Sequence, residues 1–185
     1  SNVNCNHSKL SVKKTDRVMR ELNLSEQKAL LNVQLHDMEL YKFGVILSLY
    51  TGIRVGELCA LQWEDISLSN SILKVRKTMQ RIQDTNVGAT AKTKIIITEP
   101  KSQCSIRDIP LPAFIVDIAK QFADAPKAFI LSGEKKKYIE PRTMQNRFKA
   151  LVVESKIDDA NFHCLRHTFA TRCVEVGFEI KSLSE

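Results

Sequence analysis

No pair of cysteines in this chain has the spacing of a metal clip or a redox motif. Cys5, Cys59, Cys104, Cys164 and Cys173 make an odd set without a CxxC. That argues against a disulfide framework and for a reducing, cytoplasmic environment. Apolar runs are short: the longest, from about Phe43 to Tyr50, falls far below the ~20 residues of a membrane span. No secretory signal is visible. Glycine and proline are scarce, six and five in number, so collagen-like and low-complexity architectures are excluded. Acidic residues are outnumbered, 21 Asp and Glu against 28 Lys and Arg, leaving a net charge of +7. A basic balance favours polyanionic partners, because binding releases the counterions condensed on phosphates.

The chain has 185 residues, 43% of them hydrophobic and 26% charged, enough for one well-buried domain and short for two. Residues 1–20 are polar and basic, with Lys9, Lys13, Lys14, Arg17 and Arg20, and lack apolar periodicity. They read as a linker, with Ser1-Asn2 as an expression-tag remnant, and the folded unit runs over 21–185. A helix is expected to begin after Ser25, its first turn formed by Glu26-Gln27-Lys28, with Leu24, Leu31 and Leu35 at helical spacing. A second covers about Asp37 to Tyr50, with Leu40, Phe43, Ile46, Leu47 and Tyr50 on one stripe, and Thr51-Gly52 breaks it. A third, short helix follows from about Val55 to Leu61.

The middle of the chain is β-branched. Ser71 to Ile82, Lys94 to Thr98 and Ser105 to Leu111 are separated by turn residues and read as a small three-stranded antiparallel sheet. Helices then resume. Phe114, Ile115, Ile118 and Phe122 form one stripe. Phe129-Ile130-Leu131 is a short buried run. Pro141 opens a helix whose core face is Met144, Phe148, Leu151 and Val152. The last helix runs from about His163 to Val176 and ends at Gly177, with Leu165, Phe169, Cys173 and Val176 expected to face the core. The fold class is therefore mainly α, with a small sheet to one side.

Three segments concentrate chemistry. In His163-Cys164-Leu165-Arg166-His167 the two imidazoles and the guanidinium recur at helical spacing and share one face. Paired guanidinium donors with imidazole beside them suit an anion with several oxygens. In Thr51-Gly52-Ile53-Arg54-Val55-Gly56-Glu57-Leu58 an arginine follows a glycine at a helix start, where free N–H groups favour anions, and Glu57 stands one turn on to orient it. In the third, Pro100-Lys101-Ser102 precedes Arg107-Asp108-Ile109-Pro110-Leu111; Lys92 and Lys94 compete with Lys101 for the lysine of this segment. Zinc held by His163, Cys164, His167 and Cys173 is disfavoured, since adjacent helix positions point about 100° apart. Lys135-Lys136-Lys137 is a solvated basic loop and a candidate for phosphate contact.

These segments resemble the first-arginine motif, the His-x-x-Arg-His box and the lysine hairpin of the tyrosine recombinases, the integrases of phages and conjugative transposons. The resemblance covers nearly the whole chain from about Leu24. It implies a helical DNA breaking-and-rejoining fold for 21–185 and double-stranded DNA as partner. It implies attack on a phosphodiester by a tyrosine, giving a 3′-phosphotyrosine link without a cofactor or metal. Arg54 and Arg166 would hold the phosphate oxygens, His163 would bind the same phosphate or assist the nucleophile, and Lys101 would protonate the leaving oxygen. Glu57 and His167 would line the site. The family pattern also implies a Gly-His box and a tyrosine after the His163 helix. Tyr41, Tyr50 and Tyr138 all lie in the wrong order for that role, so the chain as given is expected not to cleave DNA. A monomer in solution is expected, with tetramers on DNA implied by the family. A regulatory DNA-binding fragment and a type IB topoisomerase-like enzyme are the rival readings.

Overall fold

The structure is a computed structural model that describes residues 20–85, 91–100 and 105–177. Its elements are α1 (Leu24–His36), α2 (Leu40–Thr51), α3 (Val55–Ala60), a 3-10 turn (Trp63–Asp65), β1 (Ile66–Ser67), β2 (Ile72–Val75), β3 (Thr78–Gln83), β4 (Thr93–Thr98), β5 (Arg107–Pro110), α4 (Ala113–Phe122), α5 (Pro141–Glu154) and α6 (His163–Glu175). The mainly helical class with a small antiparallel sheet is as expected. No helix among the described residues is long and apolar enough to cross a membrane.

The centre is α2. Every residue from Lys42 to Leu49 is buried, the all-round burial of a core helix rather than a surface one. Phe43, Val45 and Leu47 are fully enclosed, and removing a side chain of this size from water stabilises by about 1.5–3 kcal/mol. Lys42 is tolerated there because its Nζ reaches the Asp37 carbonyl at 2.7 Å. Phe43 stacks on Trp63 with ring centroids 6.1 Å apart. The α5 face expected from sequence, Met144, Phe148, Leu151 and Val152, is buried as read.

Two helices turn differently from their apolar pattern. In α1 the buried residues are Gln27, Leu30 and Gln34, while Leu24 and Leu35 are exposed. The helix begins at a capping box built on Asn23, whose Oδ1 accepts from the Glu26 amide while the Asn23 amide donates to Glu26. Gln27 Nε2 donates to the Leu22 carbonyl at 2.6 Å, which draws an amide side chain inward. In α6, Cys164, Leu165 and Thr168 are buried and Val176 is exposed. Phe169 is half-buried instead of central.

The sheet also divides. The expected strand Ser71–Ile82 breaks at Arg76-Lys77 into β2 and β3. β1, β2 and β5 form one antiparallel sheet, and β3 and β4 form a separate two-stranded ladder. Arg76 marks the parting: its guanidinium donates to the carbonyls of Val75 and Arg107 and pairs with Asp108.

Two glycines bring the helices into register. Gly56 lets α3 lie on β3, because a Cβ there would sit 2.7 Å from the Met79 carbonyl oxygen. Gly52 ends α2 with φ of 63° and an amide bonded to the Ser48 carbonyl, and a Cβ would meet Phe169 at 2.5 Å. Gly52→Ala combines a left-handed backbone with an overpacked contact, so it is expected to destabilise by about 2–3 kcal/mol. Urea unfolding should show this as a lower midpoint at unchanged slope.

Candidate active site

The turn after α2, the start of α3, the start of β5 and the first turn of α6 meet at one place. Arg54 stands immediately before α3. Its backbone amide donates to Glu57 Oε2 at 2.8 Å, and its Nη1 donates to Glu57 Oε1 at 3.0 Å. The amide at this helix start is therefore taken by the chain's own carboxylate, and what Arg54 offers outward is its guanidinium, half exposed to solvent.

Glu57 is almost fully buried. A second arginine, Arg107 of β5, grips it through Nη1 to Oε1 at 3.1 Å and Nη2 to Oε2 at 2.9 Å. Burial alone would raise the Glu57 pKa. The hydrogen bonds from the Arg107 side chain and the Arg54 amide outweigh that and hold it below the ordinary glutamate value. Arg107 was not singled out from sequence. The sequence places it in the segment that follows Lys101 but gives it no role of its own, because its partner lies on a distant helix.

Arg166, in the first turn of α6, donates through Nη1 to the Gly52 carbonyl at 2.6 Å. That bond ties α6 to the turn that presents Arg54. Burial, then the like charges of Arg54 and Arg107, lowers the Arg166 pKa, with Glu57 opposing. Three guanidinium groups thus share one neighbourhood with a single buried carboxylate. The excess of positive charge is what an anion would neutralise.

His163 opens α6, its amide bound to Asn161 Oδ1 at 2.9 Å. His167 lies one turn on, with ring centroids 4.6 Å apart and planes perpendicular. His163 keeps access to solvent, yet packing around its ring, then the nearby His167, Arg166 and Arg54, lowers its pKa. It is therefore a neutral imidazole at neutral pH. NMR titration of the free protein should place its midpoint below 6.5, and an anion beside it should move that midpoint up. The sign for stability follows: the unfolded chain binds this proton more readily, so His163 costs stability as pH falls through the unfolded value near 6.5.

The structure thus brings together Arg54, Glu57, His163, Arg166 and His167. Lys101 lies outside the described residues. Lys92 stands just before β4, and Lys94, within it, pairs with Asp84 at 3.2 Å. Lys135, Lys136 and Lys137 are exposed on their loop, with Lys137 paired to Glu134 at 3.2 Å. The three tyrosines are engaged elsewhere. Tyr41 lies under Arg147 at 4.9 Å, Tyr50 packs on Phe114 at 4.8 Å, and Tyr138 packs on Phe129 at 6.0 Å. Among the described residues no group of His, Cys, Asp and Glu could hold a metal ion.

Known proteins resemble the chain in sequence and in fold. The chain is 26% identical over 156 residues to a "Tyrosine recombinase XerC-like" protein of Caldanaerobacter subterraneus subsp. tengcongensis, covering 76% of the chain and 40% of that protein. It is 29% identical over 172 residues to Tyrosine recombinase XerA of Pyrococcus furiosus, covering 90% of the chain and 52% of the relative. The chain therefore spans about half, or less, of the length of these relatives. Its fold matches that of the Tn1549 transposon integrase, solved in complex with a circular intermediate DNA, with a TM-score of 0.71 at 21% identity over 94% of the chain and 58% of the integrase. A crystal structure of XerA recombinase superposes with a TM-score of 0.62 at 23% identity, covering 89% of the chain and 54% of that protein. The family model described as "Phage integrase family" matches residues 18–185, nearly the whole chain, and the chain belongs to that family.

Proposed function

We propose that residues 21–185 are the catalytic domain of a site-specific DNA recombinase that cuts and rejoins strands through a 3′-phosphotyrosine intermediate, serving integration or excision of a mobile element. The observation that carries this reading is the shared cluster of Arg54, Arg166 and His163 beside the buried Glu57. A tyrosine hydroxyl attacks the scissile phosphorus, and the phosphate gains negative charge in the transition state. Arg54 and Arg166 donate to its non-bridging oxygens, in the manner of a preorganised oxyanion hole. His163, neutral at neutral pH, accepts the tyrosine proton or donates to the same phosphate. The bond from phosphorus to the 5′-oxygen breaks, and Lys101 delivers a proton to that oxygen. His167 lines the site. The ester conserves the bond energy, so a 5′-hydroxyl can reverse the reaction on the same or another strand.

Duplex DNA is the substrate, supported by the net charge of +7 and by the DNA-bound state of the Tn1549 integrase. Residues 1–20 serve as a basic linker, and Lys135, Lys136 and Lys137 reach flanking phosphates. The chain is monomeric in solution and acts in a tetramer on DNA. The test uses the full-length protein with nicked suicide duplexes that lose the 5′-hydroxyl needed for reversal. A covalent complex, formed far more slowly by Arg54→Ala and Arg166→Ala, supports recombination chemistry. No covalent complex, with affinity for duplex retained, leaves a non-catalytic DNA-binding protein. Relaxation of supercoiled plasmid without site preference identifies a topoisomerase instead.

A further inference from the structure

We propose that Arg107 is a positioning residue of this site, acting on the scissile phosphate through Glu57 and Arg54; this rests on the phosphate-binding reading of the cluster. The division of labour is visible in the hydrogen bonds. Arg107 spends both terminal nitrogens on the two oxygens of one carboxylate, and Nη1 also meets the Ser105 carbonyl at 3.1 Å. Arg54 spends one nitrogen on that carboxylate and keeps half its side chain exposed. Arg107 is thus the clamp, and Arg54 is the arm that the clamp aims.

The clamp is itself anchored. Arg107 pairs with Val75 across the β2–β5 ladder, and its carbonyl accepts from Arg76 Nη1 at 2.8 Å. Glu57 belongs to α3, held on β3 at Gly56. The pairing therefore joins the three-stranded sheet to the helix that Arg54 immediately precedes. A bidentate guanidinium–carboxylate pair fixes both planes, which a lysine at 107 could not do. Freed from it, the Glu57 carboxylate can swing, and a displacement of Arg54 of about 1 Å is enough to cost about a hundredfold in rate.

The experiment measures single-turnover formation of the covalent DNA complex in the full-length protein. Arg107→Ala is expected to slow cleavage about 100-fold, while affinity for duplex DNA changes less than about threefold, the signature of a residue that acts in the transition state. Arg107→Lys keeps the charge and should lose about tenfold, and it carries the test if the alanine variant does not fold. A double-mutant cycle distinguishes the routes. In an Arg54→Ala or Glu57→Ala background, either Arg107 substitution should add less than about a threefold loss. A loss that persists undiminished in the Arg54→Ala background marks a merely structural role, one that persists in the Glu57→Ala background marks direct phosphate contact, and full activity in the single variants marks no role; each overturns the proposal. If Arg54→Ala and Arg166→Ala themselves leave cleavage intact, the phosphate-site reading falls first.

Discussion

Arg166→Ala in the full-length protein is expected to slow strand cleavage by about a thousandfold, at the upper end of what one preorganised oxyanion donor supplies. Two contributions are lost together. One is a guanidinium that burial and two like-charged neighbours keep hungry for an anion. The other is the tie from α6 to the carbonyl of Gly52, two residues before Arg54. Stability should fall little, because removing Arg166 also relieves repulsion from Arg54 and Arg107. Thermal unfolding within a few degrees of the parent, together with the cleavage loss, is the expected pair of results. A large drop in melting temperature with proportionate loss of activity would mean that Arg166 is a structural residue.

Glu57→Ala should act on both stability and rate. The carboxylate is 3% exposed and receives donors from Arg54 and Arg107. Its removal strands Arg107, which keeps only 25% of its side-chain exposure. Breaking a fully buried pair costs about 3–5 kcal/mol, and partial access of Arg107 to water places this case at about 3 kcal/mol. The pH dependence has a definite sign. The folded carboxyl lies below the ordinary value of 4.5, so its stabilisation is fully present above that pH and is lost as pH falls through the depressed pKa. Urea denaturation across pH 3 to 7 should therefore show a steeper acid loss in the parent than in Glu57→Gln. Parallel curves would contradict this ionisation state.

The parts of the site readable in the sequence are those whose chemistry is local. His163, Arg166 and His167 share a helix face by spacing alone, and Arg54 and Glu57 stand one turn apart. Arg107 was hidden because its meaning depends on a tertiary contact between β5 and α3, which no periodicity encodes. The same limit explains α1. A rule that seeks leucines chose Leu24 and Leu35, while the core took Gln27 and Gln34. The sheet was misread as one because a β-branched run does not announce where its partner changes. The break came at Arg76, a side chain bonded to the neighbouring strand. By contrast the α5 core face and the Gly52 and Gly177 helix ends were found correctly, since amphipathic spacing and positive φ are backbone-level demands.

The convergence of Arg54, Arg166 and His163 on a single phosphodiester is tested most directly by side-chain NMR of this chain titrated with a short duplex. The guanidinium Nε–H signals of the two arginines and the ring signals of His163 should shift together with one dissociation constant, and His163 should titrate at higher pH in the complex. Saturation of the three at different DNA concentrations, or shifts confined to surface lysines, would contradict a shared phosphate site.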